Sequence, residues 1–269
     1  MRVGNAIDAI TMMLEIAQLS EEHFFQWVKI QLEKRGIFSS IYKEKELLKE
    51  VLYEMLFYEQ GMTVEDIENY FVPFGQAGYL TSRQKFEIIL FVLEKDYGNC
   101  HWFLQGSEED YVITEEDIED LYMQWLQEER LFLSEEEKKE FFVQNLSDRL
   151  GLGILEVMNR VAPDGILLGS LCPAYYEQEA AEERIAVCSK GNIIRLPFMA
   201  VSSKEELVRI IKCFLCVEEK EELTIINPIM DFVKEDGTCI TAVRPPVSQE
   251  WGIRILFGTA RKEEVMWKK

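Results

Sequence analysis

The feature that most constrains this chain is a change in its apolar pattern near Leu150. Before that point, apolar residues recur with the period of an amphipathic helix, as in the run from Leu47 to Leu56. After it, apolar residues come in short runs separated by glycine, proline and other turn residues. These two patterns predict an all-helical N-terminal half that is followed by a smaller region with a β-sheet.

Helices are predicted throughout the first region, near residues 5–18, 21–35, 42–60, 64–71, 82–97, 115–130 and 135–149. Four of the predicted starts pair a Ser or Thr with an acid or Gln three residues later: Thr63 with Asp66, Thr81 with Gln84, Thr114 with Asp117, and Ser134 with Glu137. In such a pair the hydroxyl accepts a hydrogen bond from a first-turn N–H that has no partner within the helix. Gly36, Gly61 and Gly98 follow three of the helices, as C-terminal stops do.

The second region opens with residues 148–158 and continues as strands with one helix. Strands are predicted at 166–169, 184–188, 192–196, 223–226, 239–243 and 252–257, with a hairpin turn at Lys190-Gly-Asn192. A capping box at Ser203 and Glu206 begins the helix. This order predicts an α+β fold with a mainly antiparallel sheet. We expect a helical domain at 1–147, an α+β domain at 148–260 and a tail at 261–269.

The net charge of −20 lies almost entirely in the helical half. Residues 1–150 hold 31 acidic and 14 basic side chains, whereas residues 151–269 hold 18 acidic and 15 basic ones. So acidic a surface repels nucleic acid and anionic lipid. The sequence has neither a long apolar span nor a signal-peptide pattern, so we expect a cytoplasmic chain without membrane insertion.

The sequence offers few groups that could perform chemistry. Cys213 and Cys216 have the spacing of a redox or zinc pair, but a zinc site needs two further ligands, and no second pair occurs. His23 and His101 are the two histidines, and neither adjoins a nucleophile motif. The acidic run at 108–120 lacks the ligand spacing of a calcium loop. Gly151 and Gly153 do not extend into a phosphate-binding loop. We therefore expect no catalytic residue, no metal and no cofactor.

Residues 148–258 resemble a known domain in the order of their motifs. That order is LGLGILEVM, DGILLG, the turn SKGN, the helix SSKEELVRIIKCF, the stretch NPIMDFVKEDGTCITAVRPPV and the strand WGIRILFG. The set is similar to the N-terminal domain of the secretion ATPases of Tad/Flp pilus assembly (CpaF-type), which belong to the type II and type IV secretion ATPase superfamily. The helical residues 1–147 correspond in kind to the variable helical region ahead of that domain.

The resemblance implies a role for two positions. In that family a DG-x-R strand and an IR strand each bring an arginine toward the phosphates of a nucleotide bound by a RecA-like motor. Arg254 matches the second arginine, whereas Cys239 stands where the first is expected, and a thiol offers no charged fork to a phosphate. Without a motor domain beneath it, Arg254 is equally well interpreted as an ordinary surface arginine on a strand.

The motor itself is not in this sequence, because the eleven residues after Gly258 are too few for such a domain. We therefore expect a non-catalytic interaction module of a type II or type IV secretion or Tad pilus assembly system. Its expected partners are a secretion ATPase or a pilus membrane protein at the inner face of the membrane. Two alternatives stay open: a truncated part of a full-length secretion ATPase, and an unrelated small cytoplasmic enzyme.

The spacing of the six cysteines predicts free thiols and no zinc. They stand at positions 100, 172, 188, 213, 216 and 239, without the regular spacing of a disulfide framework. Thiol titration of protein unfolded under non-reducing conditions should find all of them reactive. Stoichiometric zinc by elemental analysis, or a shortfall of two thiols, would contradict this prediction.

Overall fold

The computed structural model describes residues 21–37, 45–98, 100, 111–162, 164–169, 185–189, 192–199, 201 and 203–258. In that part of the chain eight α-helices occur: α1 (Glu21–Lys34), α2 (Lys45–Tyr53), α3 (Val64–Tyr70), α4 (Ser82–Tyr97), α5 (Glu115–Gln127), α6 (Glu135–Leu150), α7 (Ile154–Val161) and α8 (Lys204–Val217). A π-helical turn, Glu54–Glu59, continues α2. The predicted helix at 5–18, His101 and the tail at 261–269 lie outside the described residues.

The predicted caps set the helix starts. Thr63, Thr114 and Ser134 each accept a hydrogen bond from the backbone N–H three residues on, and the acid there accepts one from the cap in return. Thr81 and Gln84 make the same reciprocal pair before α4. Gly36, Gly61 and Gly98 have positive φ and end their helices, as predicted.

The chain forms two compact units. The first comprises the described residues of 1–84 and 132–151, and the second those of 85–131 and 152–269. In the first unit, Phe24, Phe71 and Phe142 form a ring cluster with centroids 4.6–6.2 Å apart. Lys45 forms an ion pair with the buried Asp148 at 2.7 Å, which fixes the start of α2 against α6.

The second unit is built on a seven-stranded sheet. Its strands are β1 (Tyr111–Val112), β2 (Gly165–Gly169), β3 (Ile185–Ser189), β4 (Asn192–Arg195), β5 (Ile229–Val233), β6 (Cys239–Val243) and β7 (Gly252–Leu256). Their order across the sheet is β1-β4-β3-β2-β7-β6-β5. The β1–β4 pair is parallel and every other pair is antiparallel. The predicted α+β class with a mainly antiparallel sheet is confirmed.

Alternation along the strands gives this sheet two different faces. On one face, aliphatic side chains are buried, and α7 packs on β2 while α8 packs on β7. These residues are Ile166, Leu168, Ile185, Val187, Ile194, Ile240, Ala242, Ile253 and Ile255. Successive side chains point to opposite sides, so the other face carries half-exposed residues such as Leu167, Thr241 and Arg254, whereas Ala186 and Cys188 of β3 are buried there as well.

Two predicted elements differ from the structure. Residues 148–158, which open the region predicted as short β-like runs, instead hold the end of α6 and most of α7, whose N-cap Gly153 has φ of 59°. The strand expected at 223–226 is instead a loop, and the strand β5 begins at Ile229. The loop turns because the Thr224 hydroxyl accepts a hydrogen bond from the Asn227 N–H at 2.9 Å. The two-residue strand β1 was not predicted.

The second unit contains residues 85–131 together with the sheet. Three contacts within that unit involve these residues. The Phe86 ring packs edge-on against Phe198 with centroids 5.2 Å apart. Arg160 Nη1 lies 3.3 Å from Glu94 Oε2, and β1 pairs with β4. Such tertiary contacts leave no trace in local periodicity.

No helix in the described residues is long and apolar enough to cross a membrane.

Gly169 and Gly237 provide a matched pair for testing the sheet. Both have positive φ, at 75° and 87°, so alanine is strained at either position by about 1 kcal/mol. A Cβ at Gly169 would lie 2.2 Å from the Trp251 carbonyl oxygen, whereas at Gly237 the nearest atom is 3.5 Å away. We expect Gly169→Ala to lower the free energy of unfolding by about 3 kcal/mol and Gly237→Ala by about 1 kcal/mol. Chemical denaturation measures both, and equal losses would contradict the close approach of β2 and β7.

Candidate functional site

The motif that carries the family resemblance forms the turn between β5 and β6. Asp236 Oδ1 accepts a hydrogen bond from the Thr238 N–H at 2.8 Å, and this bond lowers the pKa of the Asp236 carboxyl group. Gly237 has φ of 87°, a conformation that favours glycine. The Lys234 N–H then bonds to the Thr238 carbonyl at 2.9 Å and closes the turn. The Asp-Gly pair thus fixes where β6 starts, and with it the position of Cys239.

The end of β7 packs directly on this turn. A Cβ on Gly258 would lie 2.0 Å from the Asp236 carbonyl oxygen, so only glycine fits there. The contact is consistent with the register of the two strands, in which Cys239 lies beside Leu256 and Thr241 beside Arg254. The two motifs GTCITAV and WGIRILFG therefore pack together as neighbouring strands. The odd-numbered residues of β6 and the even-numbered residues of β7 lie on the same face of the sheet.

We call that half-exposed side of the sheet the open face. It is the side opposite the buried aliphatic face on the adjacent strands β2, β7, β6 and β5. Its members are Leu167, Asp231, Cys239, Thr241, Arg254 and Leu256. Asp231 is exposed and the other five are half-buried. Sequence reasoning missed Thr241 and Asp231, although the alternation of β6 and the register of its neighbours put them beside Arg254.

Arg254 lies near the centre of the open face. Its Nη2 donates a hydrogen bond to Thr241 Oγ1 at 3.2 Å. Among the described residues no carboxylate lies within ion-pair distance of its guanidinium group. Asp231 shares the face but lies two strands away, roughly 10 Å at the backbone. The guanidinium therefore keeps donors that a phosphate or carboxylate of another molecule could accept.

Arg244, the arginine that directly follows β6, has a different environment. Its Nη1 donates to the Leu223 carbonyl at 3.1 Å and its Nε to the Pro245 carbonyl at 3.2 Å. Its guanidinium also stacks over the Trp251 ring at 5.0 Å. The bond to Leu223 ties Arg244 to the loop before β5, and the other two contacts hold it in the link between β6 and β7, so Arg244 and Arg254 are not equivalent.

Cys239 lies on the open face, diagonal to Arg254 across the β6–β7 pair. Its Sγ is 3.7 Å from the Gly237 carbonyl oxygen. Diagonal neighbours in such a pair have Cα atoms roughly 7–8 Å apart, which a long side chain can span. An arginine at position 239 and Arg254 could therefore bind one anion together, whereas the thiol leaves a single cation on this part of the face.

The other candidate groups are not assembled into a site. Cys213 is half-buried in α8, where burial raises the pKa of its thiol, and Cys216 is exposed one turn later. His23 is exposed on α1. Asp117, from the acidic run, caps α5. Within the part of the chain that the structure describes, no group of three or more His, Cys, Asp or Glu residues could hold a metal ion.

Two buried polar clusters in the second unit were not predicted from the sequence. Lys85 forms an ion pair with Glu119 beside Tyr122, whose pKa burial and the Glu119 charge raise to about 12. Cys100 donates to the Leu90 carbonyl at 3.3 Å, and burial together with Glu94 raises its pKa to about 12. A thiol in that state is a poor nucleophile, so Cys100 packs rather than reacts.

Comparison with known proteins adds no assignment. No protein-family model matches this sequence, and no curated protein matches it.

The sparse contacts of Arg254 among the described residues predict that the fold does not depend on it. We expect Arg254→Met to change the free energy of unfolding by less than about 1 kcal/mol, because the bond lost among those residues is one neutral hydrogen bond, to Thr241. Arg160→Met is the matched control. Arg160 is largely buried against Glu94, and its removal should cost about 2–3 kcal/mol. Denaturant titration of both variants measures the difference, and a loss at Arg254 as large as that at Arg160 would assign it to folding.

Proposed function

We propose that this chain is a non-catalytic interaction module of a type II or type IV secretion or Tad pilus assembly system, related to the N-terminal part of its ATPase. The observation that carries the proposal is Arg254. It lies on the open face at the position where the resemblance expects an arginine, and it has no carboxylate partner among the described residues. Its proposed ligand is a phosphate or carboxylate on a motor domain supplied by another chain.

The chemistry of the open face supports binding rather than catalysis. A single guanidinium group can orient one anion by a forked pair of hydrogen bonds. The sequence has no phosphate-binding loop of its own, and Cys239 removes the second cation that the family pattern supplies. The proposed module therefore docks on a nucleotide-loaded motor without completing an active site there.

The helical half supports a second contact. Its net charge of −17 across residues 1–150 would draw it toward a basic surface, such as a cytoplasmic loop of a pilus membrane protein. The proposed location is therefore the cytoplasmic face of the membrane, reached through partners. Because exposed charges are screened over about 8 Å at physiological ionic strength, this contact weakens as salt rises.

A binding experiment with a purified motor tests the role of Arg254. The probe is the isolated RecA-like domain of a secretion ATPase from the same cell, with and without a non-hydrolysable ATP analogue. We expect Arg254→Glu to weaken binding roughly tenfold or more in the presence of the nucleotide, because the charge reversal repels the phosphates. Arg130→Glu is the control. It makes the same charge change at an arginine that stacks on Trp125 of α5, and it should change the affinity less than about threefold.

The reverse substitution tests Cys239. Cys239→Arg restores the second family cation, and we expect it to strengthen nucleotide-dependent binding several-fold. An affinity for the motor domain that changes neither with the two substitutions nor with the nucleotide would contradict the proposal. Steady-state phosphate release by the chain alone should stay at background, and turnover that survives repurification would favour the alternative of a small enzyme. A reading frame that continues into a phosphate-binding loop would instead identify the truncated ATPase.

A further inference from the structure

Among the strands that the structure describes, β5 is an edge of the sheet. Its outward backbone groups can be assigned from the register. Arg244 N–H donates to the Pro228 carbonyl and Lys234 N–H to the Thr238 carbonyl, so these pairs are the hydrogen-bonded ones of the β5–β6 ladder. Hydrogen-bonded and non-bonded pairs alternate along an antiparallel ladder. The N–H and C=O groups of Ile229, Asp231 and Val233 therefore point away from β6, toward the outside of the sheet.

The side chains of those same three residues are exposed. Ile229 and Val233 are 52% and 55% exposed, with Asp231 between them on the open face. The loop before the strand adds Ile225 and Ile226, which are 71% and 89% exposed. That loop is a formed turn, because Thr224 N–H donates to the Asn227 carbonyl and Asn227 N–H to the Thr224 hydroxyl.

Natural sheets protect an open edge with a bulge, a proline or charged side chains. Within Ile229–Val233 there is neither a bulge nor a proline, the strand pairs with β6 in unbroken register, and Asp231 is the one charged residue. An edge with free hydrogen-bonding groups and apolar side chains is the surface to which an extended segment adds as a further strand.

The charge around the edge determines the chemistry of that segment. Residues 218–236 carry seven acidic and two basic side chains, a net charge of −5, and the whole chain carries −20. A second copy of this chain would bring the same negative charge to the edge. In the pairing centred on the middle of β5 it would also set Asp231 against its own equivalent, and like charges directly opposite destabilise a pair. A basic segment removes both penalties.

We propose that β5 binds an extended segment of a partner protein in which apolar residues flank a lysine or arginine on one face. The segment adds as an eighth strand and exchanges backbone hydrogen bonds with Ile229, Asp231 and Val233. Its cation lies opposite Asp231, and its apolar residues lie opposite Ile229 and Val233. This inference rests on the edge alone and is independent of the function proposed for Arg254.

A synthetic peptide tests the proposal on the full chain. The probe is the acetylated and amidated peptide Thr-Val-Thr-Lys-Thr-Val-Thr, which presents Val, Lys and Val on one face of a strand. We expect saturable binding by calorimetry or fluorescence anisotropy at concentrations below about 1 mM. The same peptide with Glu in place of Lys should bind at least roughly tenfold more weakly.

Matched variants separate charge from backbone pairing. Asp231→Lys should reverse the preference between the two peptides, whereas Glu235→Lys, an equal charge change in the turn after the strand, should leave the preference for the Lys peptide in place. Val233→Pro removes an outward N–H that the ladder does not use, and it should weaken both peptides at least roughly tenfold. Its unfolding midpoint is measured alongside, so that a loss of fold is not mistaken for a loss of binding.

A second pair of peptides keeps the test independent of protein variants. N-methylation of the Val, Lys and Val amides removes the donors that face β5, and it should abolish binding. N-methylation of the two central Thr amides, which face away, should weaken binding far less. Absence of saturable binding to the Lys peptide, or equal effects of the two methylation patterns, overturns the proposal. So does sedimentation of the chain as a dimer that Val233→Pro dissociates, because a second copy would then occupy the edge.

Discussion

The register of β7 between β2 and β6 is the constraint on which the rest of the sheet depends. Because side chains alternate along a strand, a slip of one residue would exchange Ile253 and Ile255 with Arg254 and bury a charge among aliphatic side chains. Two glycine contacts fix this register at opposite ends. Gly169 meets the Trp251 carbonyl beside β2, and Gly258 meets the Asp236 carbonyl beside the β5–β6 turn. The position of Arg254 on the open face is therefore a consequence of backbone packing, and no contact of its own side chain is needed to produce it.

Much of this architecture follows from local signals in the sequence. Helix starts at Thr63, Thr81, Thr114 and Ser134 were predictable because each cap joins two residues only three positions apart. The helix α7 was not, since Gly151 and Gly153 precede an apolar run that fits either period. The strand β5 was displaced because Thr224 and Asn227 close a turn inside a stretch of β-forming residues. The grouping of residues 85–131 with the sheet depends on contacts such as Phe86 with Phe198, which no local pattern records.

The candidate site divides in the same way. The Asp236-Gly237 turn and the strand around Arg254 were visible as motifs, but their meeting at Gly258 required the tertiary structure. In the sequence, Arg244 and Arg254 look equivalent, because each belongs to one of two neighbouring β-strand motifs. Their surroundings separate them: Arg244 bonds to the Leu223 and Pro245 carbonyls and stacks on Trp251, whereas among the described residues Arg254 makes one side-chain bond, to the neutral Thr241 hydroxyl. An arginine that is held by its own chain has little left to offer a partner, so only Arg254 is suited to recognition.

The open face and the β5 edge adjoin one another yet favour ligands of opposite charge. Arg254 presents a cation near the centre of the sheet, and Asp231 presents an anion at its edge, with Thr241 between them on the intervening strand. Two charges roughly 10 Å apart in partly exposed positions attract each other weakly, so neither neutralises the other. A segment that adds to β5 with its cation over Asp231 leaves the donors of Arg254 unused. The two proposed contacts, an anionic group on the face and a basic strand at the edge, are therefore compatible, and loss of one does not require loss of the other.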